Sequence, residues 1–288
     1  MNRIGTNFSP DETRPLLIFG GPYSNLQATE QIQVVASELN IPATNILCTG
    51  DLVAYCAQPD ETVELIKRWN IAVVAGNCEE SVANGSDDCG CGFVEGSSCD
   101  LLSAQWYNYT LPRVSSQNKD WMKQLPDEIR FNYGGRSFSA IHGGTDSNNQ
   151  FLFSSDSQAE KQQQITASRS DIILAGHCGL PFGQNTEHGY WLNAGVIGMP
   201  ANDASALTWY MLISPTDDHL VCSWHRLSYD HNETAIQMQK AGLNNGYMKA
   251  LSSGLWPSLD VLPEFEAKQT GKTLTLAEIS IPRAADAI

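Results

Sequence analysis

The segment Ile46-Leu47-Cys48-Thr49-Gly50-Asp51 carries the strongest fold signal in the chain. Apolar and small residues run directly into a glycine and then a single carboxylate. A buried strand that ends in this way delivers a polar side chain to the edge of a sheet. Asp51 is therefore the first candidate functional residue, although a Gly-Asp pair is also a common turn former. The other residues that reach the same edge decide between these two interpretations.

Similar units lie on both sides of this segment. Apolar runs at 15–19 and 71–75 predict two more buried strands, and each is followed by glycine and a polar residue. Between the strands, the spacing of apolar residues predicts amphipathic helices at 26–39 and 59–69. The order β-α-β-α-β predicts parallel strands whose carboxyl ends converge on one crevice, where ligands bind in open α/β sheets.

The rest of the chain predicts one large α+β domain over 1–288, in which 230–288 form a C-terminal helical or loop extension. Residues 79–100 are predicted as a loop, because the stretch is too rich in glycine for a helix. Strands are predicted at 128–133 and 136–141, and Gly134-Gly135 between them predicts a hairpin with a two-residue turn. Further helices are predicted at 101–107, 115–125, 158–168 and 233–241, a strand at 171–175, and three strands of a second sheet at 188–192, 206–212 and 220–227.

Composition excludes several classes of partner. The formal charge of -15 and the pI near 4.7 argue against a surface that binds nucleic acid or anionic lipid, since such surfaces need a cationic face. The first 14 residues are polar and no run reaches the roughly eighteen apolar residues of a membrane span. Eight cysteines are too few for a disulfide scaffold in a chain of this length. We therefore expect a cytoplasmic protein with no membrane partner.

Four side chains able to bind metal follow predicted strands, and each stands next to a glycine: Asp51, Asn77, His142 and His177. A single histidine is more often a hydrogen-bonded structural residue than a ligand. Four such residues at equivalent strand ends are harder to explain without a shared site. Carboxylate, amide and imidazole donors together favour zinc, manganese or iron over calcium or magnesium.

The motifs that contain these residues resemble those of the calcineurin-like metallophosphoesterases, most closely the small bacterial phosphodiesterases. The resemblance rests on their order and spacing: Gly50-Asp51 with Tyr55 and Pro59, Gly76-Asn77, His142-Gly143, Gly176-His177 and Asn193-Ala194-Gly195. It implies an α+β four-layer sandwich, in which two mixed β-sheets are flanked by helices. It also implies a pair of metal ions bridged by Asp51, and hydrolysis of a small phosphorylated molecule.

Departures from the family pattern all affect one of the two metal positions. The resemblance implies ligands at Gly21, Tyr23 and Gly179, where this chain has none of the expected aspartate and histidine residues. We therefore expect one ion held by Asp51, Asn77, His142 and His177, or a second position rebuilt from other ligands. Tyr23 has two interpretations, a phenolate ligand or a ring packed over the remaining site. The family's arginine is also missing, because the matching position is Ala201 or Asn202.

The catalytic candidates are Asp51, Asn77 and His142, with Glu79 and Tyr23 as groups that could orient water or the leaving group. Cys78 stands where the family often has a histidine, and a thiol near pKa 8.5 is a poor proton donor in that role. Cys89-Gly90-Cys91, with Cys78 and Cys99, leaves three alternatives open. These are redox-active or simply buried cysteines, a structural zinc site, and a thiolate ligand for the second metal position.

Two principal functions fit these residues. The first is a metal-dependent phosphoesterase with one divalent transition metal, either manganese, zinc or iron. The second is a degenerate phosphoesterase fold that binds a ligand or partner without turnover, because fold does not guarantee chemistry. A non-phosphate metallohydrolase or a redox enzyme has weaker support, which comes from Tyr23 and the cysteines alone.

Overall fold

The structure is a computed structural model that describes residues 3–5 and 7–283. Residues 1, 2, 6 and 284–288 of the predicted domain and its tail lie outside the described part. The strands are β1 (Ile4–Gly5), β2 (Leu16–Phe19), β3 (Ile46–Cys48), β4 (Ala72–Val73), β5 (Glu128–Tyr133), β6 (Arg136–Ile141), β7 (Ile172–Ala175), β8 (Phe182–Thr186), β9 (Gly189–Asn193), β10 (Thr208–Pro215), β11 (His219–Leu227) and β12 (Ile279–Pro282). The helices are α1 (Leu26–Glu38), α2 (Pro59–Trp69), α3 (Asn77–Asn84), α4 (Ser98–Thr110), α5 (Ser116–Met122), α6 (Gln158–Ser168), α7 (His231–Lys240), α8 (Gly246–Ser253) and α9 (Glu264–Ala267).

Two mixed sheets make up the centre of the fold. The first has the order β12-β11-β10-β2-β3-β4, and the second has the order β1-β5-β6-β7-β9-β8. Strands β2, β3 and β4 run parallel to one another, as do β6, β7 and β9. Two sets of parallel strands therefore bring their carboxyl ends to edges where loops can meet.

Strand alternation explains the four layers. Leu16 and Ile18 of β2 pack in one buried cluster with Phe138 of β6 and Leu174 of β7, which fills the space between the sheets. The intervening residues of β2, Leu17 and Phe19, belong to a second cluster with the apolar faces of α1 and α2. Trp191 and Ile165 belong to a third cluster, where α6 covers the second sheet. The predicted α+β sandwich of two sheets flanked by helices is confirmed.

The prediction that the last three strands form a second sheet of their own is wrong. Only β9 lies in the second sheet, where it pairs with β7, whereas β10 and β11 extend the first sheet. Strand β10 pairs antiparallel with β2, with Met211 opposite Ile18. This pairing joins residues that are separated by about two-thirds of the chain. The alternation of apolar and polar residues within a strand does not indicate which distant strand it pairs with.

The predicted loop at 79–100 is also wrong at both ends. Helix α3 begins directly after Gly76 and ends at Gly85, whose φ of 68° is the left-handed conformation that ends many helices. The glycine-rich part is therefore confined to the segment that begins at Gly85. Helix α4 begins one turn earlier than predicted, because the side chain of Ser97 accepts a hydrogen bond from the Asp100 amide.

The tail contributes more than the predicted helix and loop. Besides α7 it contains α8, α9 and the edge strand β12, which pairs antiparallel with β11. Strands β1 and β8 were likewise not predicted, because each is short or polar. Over residues 3–5 and 7–283, no helix combines the length and apolar composition needed to cross a bilayer.

Packing between the sheets predicts a large effect of truncating Leu174, which is fully buried in β7. We expect Leu174→Ala to lower the free energy of unfolding by about 2–5 kcal/mol, because the change leaves a cavity in the intersheet core. Urea denaturation measures the loss. The matched control is Leu101→Ala, since Leu101 is 63% exposed and should cost less than about 0.5 kcal/mol. Equal losses in both variants would contradict this description of the core.

Candidate metal centre

The carboxyl ends of four strands bring the four predicted ligands together. Asp51 follows β3, Asn77 follows β4, His142 follows β6 and His177 follows β7. All four side chains are buried, with exposed fractions of 8% or less. The Nε2 atom of His142 lies 3.2 Å from Asp51 Oδ2, 3.1 Å from Asn77 Oδ1 and 3.1 Å from His177 Nδ1. Two sheets thus contribute ligands to one compact cluster.

Hydrogen bonds around the cluster decide which atoms face its centre. The Nδ1–H group of His142 donates to the Thr49 carbonyl at 2.6 Å, so that in the neutral imidazole Nε2 is the atom with the lone pair. The Asn77 Nδ2 atom donates to the Cys89 carbonyl at 3.0 Å, so that its Oδ1 atom points into the cluster. The cluster therefore presents electron pairs from two oxygens and two imidazoles.

This arrangement fits a metal ion. Neither the Asp51 carboxylate nor the Asn77 amide oxygen carries a hydrogen to offer to His142 Nε2, although both lie within 3.2 Å of it. A proton on Nε2 can form a good hydrogen bond to only one of these acceptors. A metal cation is attracted to all of the surrounding electron pairs at once. The possible ligand atoms of Asp51, His142 and His177 lie within 4.8 Å of one another. Mixed oxygen and imidazole ligands suit a divalent transition metal.

The electrostatics of Asp51 and His177 agree with this use, whereas a metal ion has to displace a proton from His142. Burial alone would lower the pKa of His142, but the Asp51 carboxylate raises it above its ordinary value. Burial alone would raise the pKa of Asp51, but His142 and His177 hold it below its ordinary value. Burial and the neighbouring His142 lower the pKa of His177 to about 3. Near neutral pH the carboxylate is therefore charged and the His177 imidazole is neutral, as metal binding requires.

Two buried polar side chains hold the ligand-bearing loops. Glu79 is fully buried, and its carboxylate accepts hydrogen bonds from the backbone amides of Asp51, Leu52 and Gly76 at 2.7–2.9 Å. Burial, together with the Asp51 carboxylate, raises the pKa of Glu79 to about 7. Glu79, a catalytic candidate from the sequence, therefore holds the loop that carries Asp51. Asn193 acts similarly on the other sheet, because its Nδ2 atom donates to the Gly176 carbonyl at 2.7 Å.

The ring of Tyr23 fills the space beside the cluster. A Cβ atom at Gly21 would lie 2.6 Å from Tyr23 Cζ, and a Cβ atom at Gly179 would lie 3.7 Å from the Tyr23 hydroxyl. The ring thus extends between two of the positions where the sequence lacks expected ligands. Over the described residues, the cluster of Asp51, His142 and His177 is the one group of three or more histidine, cysteine or acidic side chains close enough to hold an ion.

A family model for the calcineurin-like phosphoesterase superfamily domain matches residues 24–218. The chain belongs to this superfamily. Among curated proteins, it is 26% identical to an uncharacterized protein of Methanocaldococcus jannaschii over 205 residues, which cover 62% of this chain and 74% of the relative.

Solved structures support the fold of this chain. A metallophosphoesterase from Sphaerobacter thermophilus superposes with a TM-score of 0.64 at 20% identity, over 84% of this chain and all of that one. A hypothetical protein from Pyrococcus horikoshii superposes with a TM-score of 0.71 at 16% identity, over 83% of this chain and 98% of that one. At these identities the likeness concerns the fold alone.

An aromatic cleft opens beside the cluster of predicted metal ligands. Its volume is about 70 Å³, and Asp51 and His177 form part of its wall. Trp256 is held in the wall because its ring nitrogen donates to the Pro200 carbonyl at 2.7 Å and its amide donates to Asn202 Oδ1 at 2.9 Å. The aromatic residues that line this cleft are Tyr23, Tyr55, Phe93, Phe151, Tyr247 and Trp256.

Several of these cleft residues were not predicted as part of the site. Tyr247 and Trp256 belong to the tail, far in sequence from the ligands, and no local pattern places them near Asp51. Phe151 packs on His177, with ring centroids 4.1 Å apart. An aromatic side chain is the one sequence signal that all three share, and this signal is too common to select them.

The cysteines near the site do not form a separate metal-binding group. Cys89 and Cys91 form a disulfide, and Cys78 and Cys99 are buried as free thiols. Among the described residues these four cysteines form no group of three with metal-ligand spacing, so the structural zinc alternative is not supported. Burial raises the pKa of Cys78 well above its ordinary value, which keeps it a neutral thiol.

Metal binding tests the cluster directly. We expect the wild-type chain to bind one zinc ion, and His142→Ala to weaken that binding by more than about a hundredfold, because a central ligand is lost. Equilibrium dialysis followed by elemental analysis measures both quantities. His188→Ala, which removes an exposed histidine far from the cluster, should bind zinc as the wild type does. Two ions per chain, or no change in His142→Ala, would contradict the proposed single site.

The contact between Tyr23 and Gly21 predicts that an aspartate cannot be introduced at position 21 without a loss of stability, unless Tyr23 is also changed. In Gly21→Asp the new Cβ would overlap both the Tyr23 ring and Val196, each at 2.6 Å, so we expect a loss of about 1–3 kcal/mol in the free energy of unfolding. Gly96→Asp is the matched control, since its φ is also positive but no atom lies within 4 Å of its Cβ position. A smaller loss in a Tyr23→Ala background would assign the cost to the ring.

Proposed function

We propose that this phosphoesterase hydrolyses a small phosphorylated molecule with one divalent transition metal, manganese, zinc or iron, held by Asp51, Asn77, His142 and His177. The observation that carries the proposal is the His142 lone pair, which faces two oxygens and a second imidazole within 3.2 Å. When bound, such an ion acts as a Lewis acid on a phosphoryl oxygen and lowers the pKa of water towards neutrality.

The residues of the chain supply position and orientation in this scheme. The Thr49 carbonyl holds the tautomer and the direction of the His142 ring. Glu79 and Asn193 hold the loops that carry Asp51 and His177, so that the ligands are arranged before substrate arrives. The open side of the cluster is the aromatic cleft, which is where the phosphorylated substrate is proposed to enter.

Two features distinguish this scheme from that of a two-metal enzyme. The Tyr23 ring lies where ligands of a second ion would be expected, and Cys78 replaces a proton donor with a buried neutral thiol. The proposal therefore favours substrates whose leaving group departs without strong protonation. Diesters and monoesters with acidic leaving groups are the first substrates to examine.

The cytoplasm remains the proposed location. Six of the eight cysteines are buried free thiols, as is usual in a reducing compartment. No nucleic acid is proposed as a substrate, because the chain carries a formal charge of -15.

Hydrolysis of nitrophenyl esters tests the proposed activity. We expect release of nitrophenol from p-nitrophenyl phosphate or bis(p-nitrophenyl) phosphate after addition of manganese, zinc or iron(II), since nitrophenol is an acidic leaving group. Activity should fall more than about a hundredfold in His142→Ala and persist in His188→Ala. Absorbance at the nitrophenolate band measures the rate. A metal-loaded chain that is inert towards a broad panel of phosphoesters would sink the proposal.

A binding protein on the same fold is the second candidate. It is favoured by the Tyr23 ring in the second metal position, which removes part of the machinery that the family uses. The same panel separates the two functions. Thermal stabilisation by a phosphorylated compound without release of product supports the binding protein, whereas turnover excludes it.

A further inference from the structure

The aromatic cleft lacks the cationic groups that usually hold phosphate. Among its lining residues, all of which the structure describes, there is no lysine or arginine, and Asp51 adds a negative charge. The chain as a whole carries a formal charge of -15. A phosphoryl group beside the metal cluster therefore needs another source of hydrogen-bond donors, because its oxygens do not leave water without replacement partners.

Three tyrosines stand where such donors are needed. Tyr23, Tyr55 and Tyr247 form a continuous series in the cleft wall, with ring centroids 4.7 Å apart for the first pair and 4.2 Å apart for the second. Tyr23 is 5% exposed and Tyr247 is 7% exposed. None of the three hydroxyls forms a hydrogen bond with another described residue, and none is among the described side-chain atoms that are both buried and unpaired, so that each is open to solvent in the cleft.

Some other tyrosines of this chain have partners within the protein. The hydroxyls of Tyr107 and Tyr133 each donate to a backbone carbonyl, at 2.8 Å and 2.6 Å. Buried hydroxyls normally find such partners, because an unsatisfied donor costs free energy. Three phenols in one cleft that no described residue pairs, next to a candidate metal-binding cluster, therefore leave their donors available to a ligand that accepts hydrogen bonds.

We propose that the hydroxyls of Tyr23, Tyr55 and Tyr247 bind the phosphoryl oxygens of the substrate as neutral donors, in place of a cationic clamp. This inference rests on the proposed phosphoesterase function and specifies how the same site holds its substrate. It also assigns Tyr23 as a substrate-binding residue rather than a phenolate ligand.

The protonation state of the three groups agrees with this role. Burial, with the nearby Asp51 carboxylate, holds the pKa of Tyr23 well above its ordinary value. Burial, with Tyr247 and Tyr23 as neighbours, does the same for Tyr55. All three remain phenols near neutral pH, and a phenol donates to an anion without adding the charge that a lysine would bring.

Substitution of tyrosine by phenylalanine tests the hydroxyls alone, because the ring and its packing are kept. The probe is inorganic phosphate, titrated calorimetrically into the zinc-loaded protein. We expect Tyr23→Phe, Tyr55→Phe and Tyr247→Phe each to weaken phosphate binding by about tenfold, since a hydrogen bond to a charged group is lost. The KM for p-nitrophenyl phosphate should rise in parallel.

Tyr210→Phe is the matched control. Tyr210 is 8% exposed, lies in β10 beside His225, and its hydroxyl is likewise unpaired among the described residues. It should bind phosphate as the wild type does. Zinc content should be unchanged in all four variants, and loss of zinc in Tyr23→Phe would overturn the assignment of Tyr23 by making it a metal ligand.

The outcomes separate this inference from the function on which it rests. If the wild type turns over phosphoesters but the three cleft variants bind phosphate as tightly as it does, the rings serve only as apolar wall and the inference alone fails. If the zinc-loaded wild type neither binds phosphate nor hydrolyses esters, both the inference and the proposed function fail.

Discussion

A hydrogen bond of 2.6 Å between the His142 imidazole and the Thr49 carbonyl joins the two sheets at the metal cluster. Thr49 follows a strand of the first sheet and His142 follows a strand of the second, so this contact sets both the distance between the two edges and the tautomer of a ligand. The two strand ends can approach this closely only because glycine occupies the positions where the backbones meet. A Cβ at Gly176 would lie 2.7 Å from the Thr49 hydroxyl oxygen, and one at Gly50 would lie 2.9 Å from His142 Nδ1. The glycine beside each ligand is therefore a steric requirement of the site.

This requirement explains why the sequence indicated so much of the site. Strand ends that meet this closely need small residues next to the functional ones, and that pairing is visible as Gly-Asp, Gly-Asn and Gly-His along the chain. The parallel strands β2, β3 and β4, with helices α1 and α2, follow from local periodicity and were predicted within two or three residues. The hairpin of β5 and β6 was predicted residue for residue from its Gly134-Gly135 turn.

The parts that were not predicted depend on long-range contacts. Strand β10 joins β2 instead of a sheet of its own, and Tyr247 and Trp256 reach the cleft from the tail. Glu79 was predicted as a group that acts on water, yet its carboxylate is occupied by three backbone amides. Residue type and spacing alone do not distinguish a carboxylate that faces substrate from one that faces the loop beneath it.

The position of the tail also sets the order in which the site is made during synthesis. All four metal ligands lie within the first 177 residues, whereas Tyr247 and Trp256 of the cleft wall come more than 60 residues later. A chain that leaves the ribosome from its N-terminus therefore exposes the complete set of predicted ligands before the tail adds its part of the cleft wall. The predicted metal ligands and the aromatic cleft lie together in the finished fold, but they become available at different times.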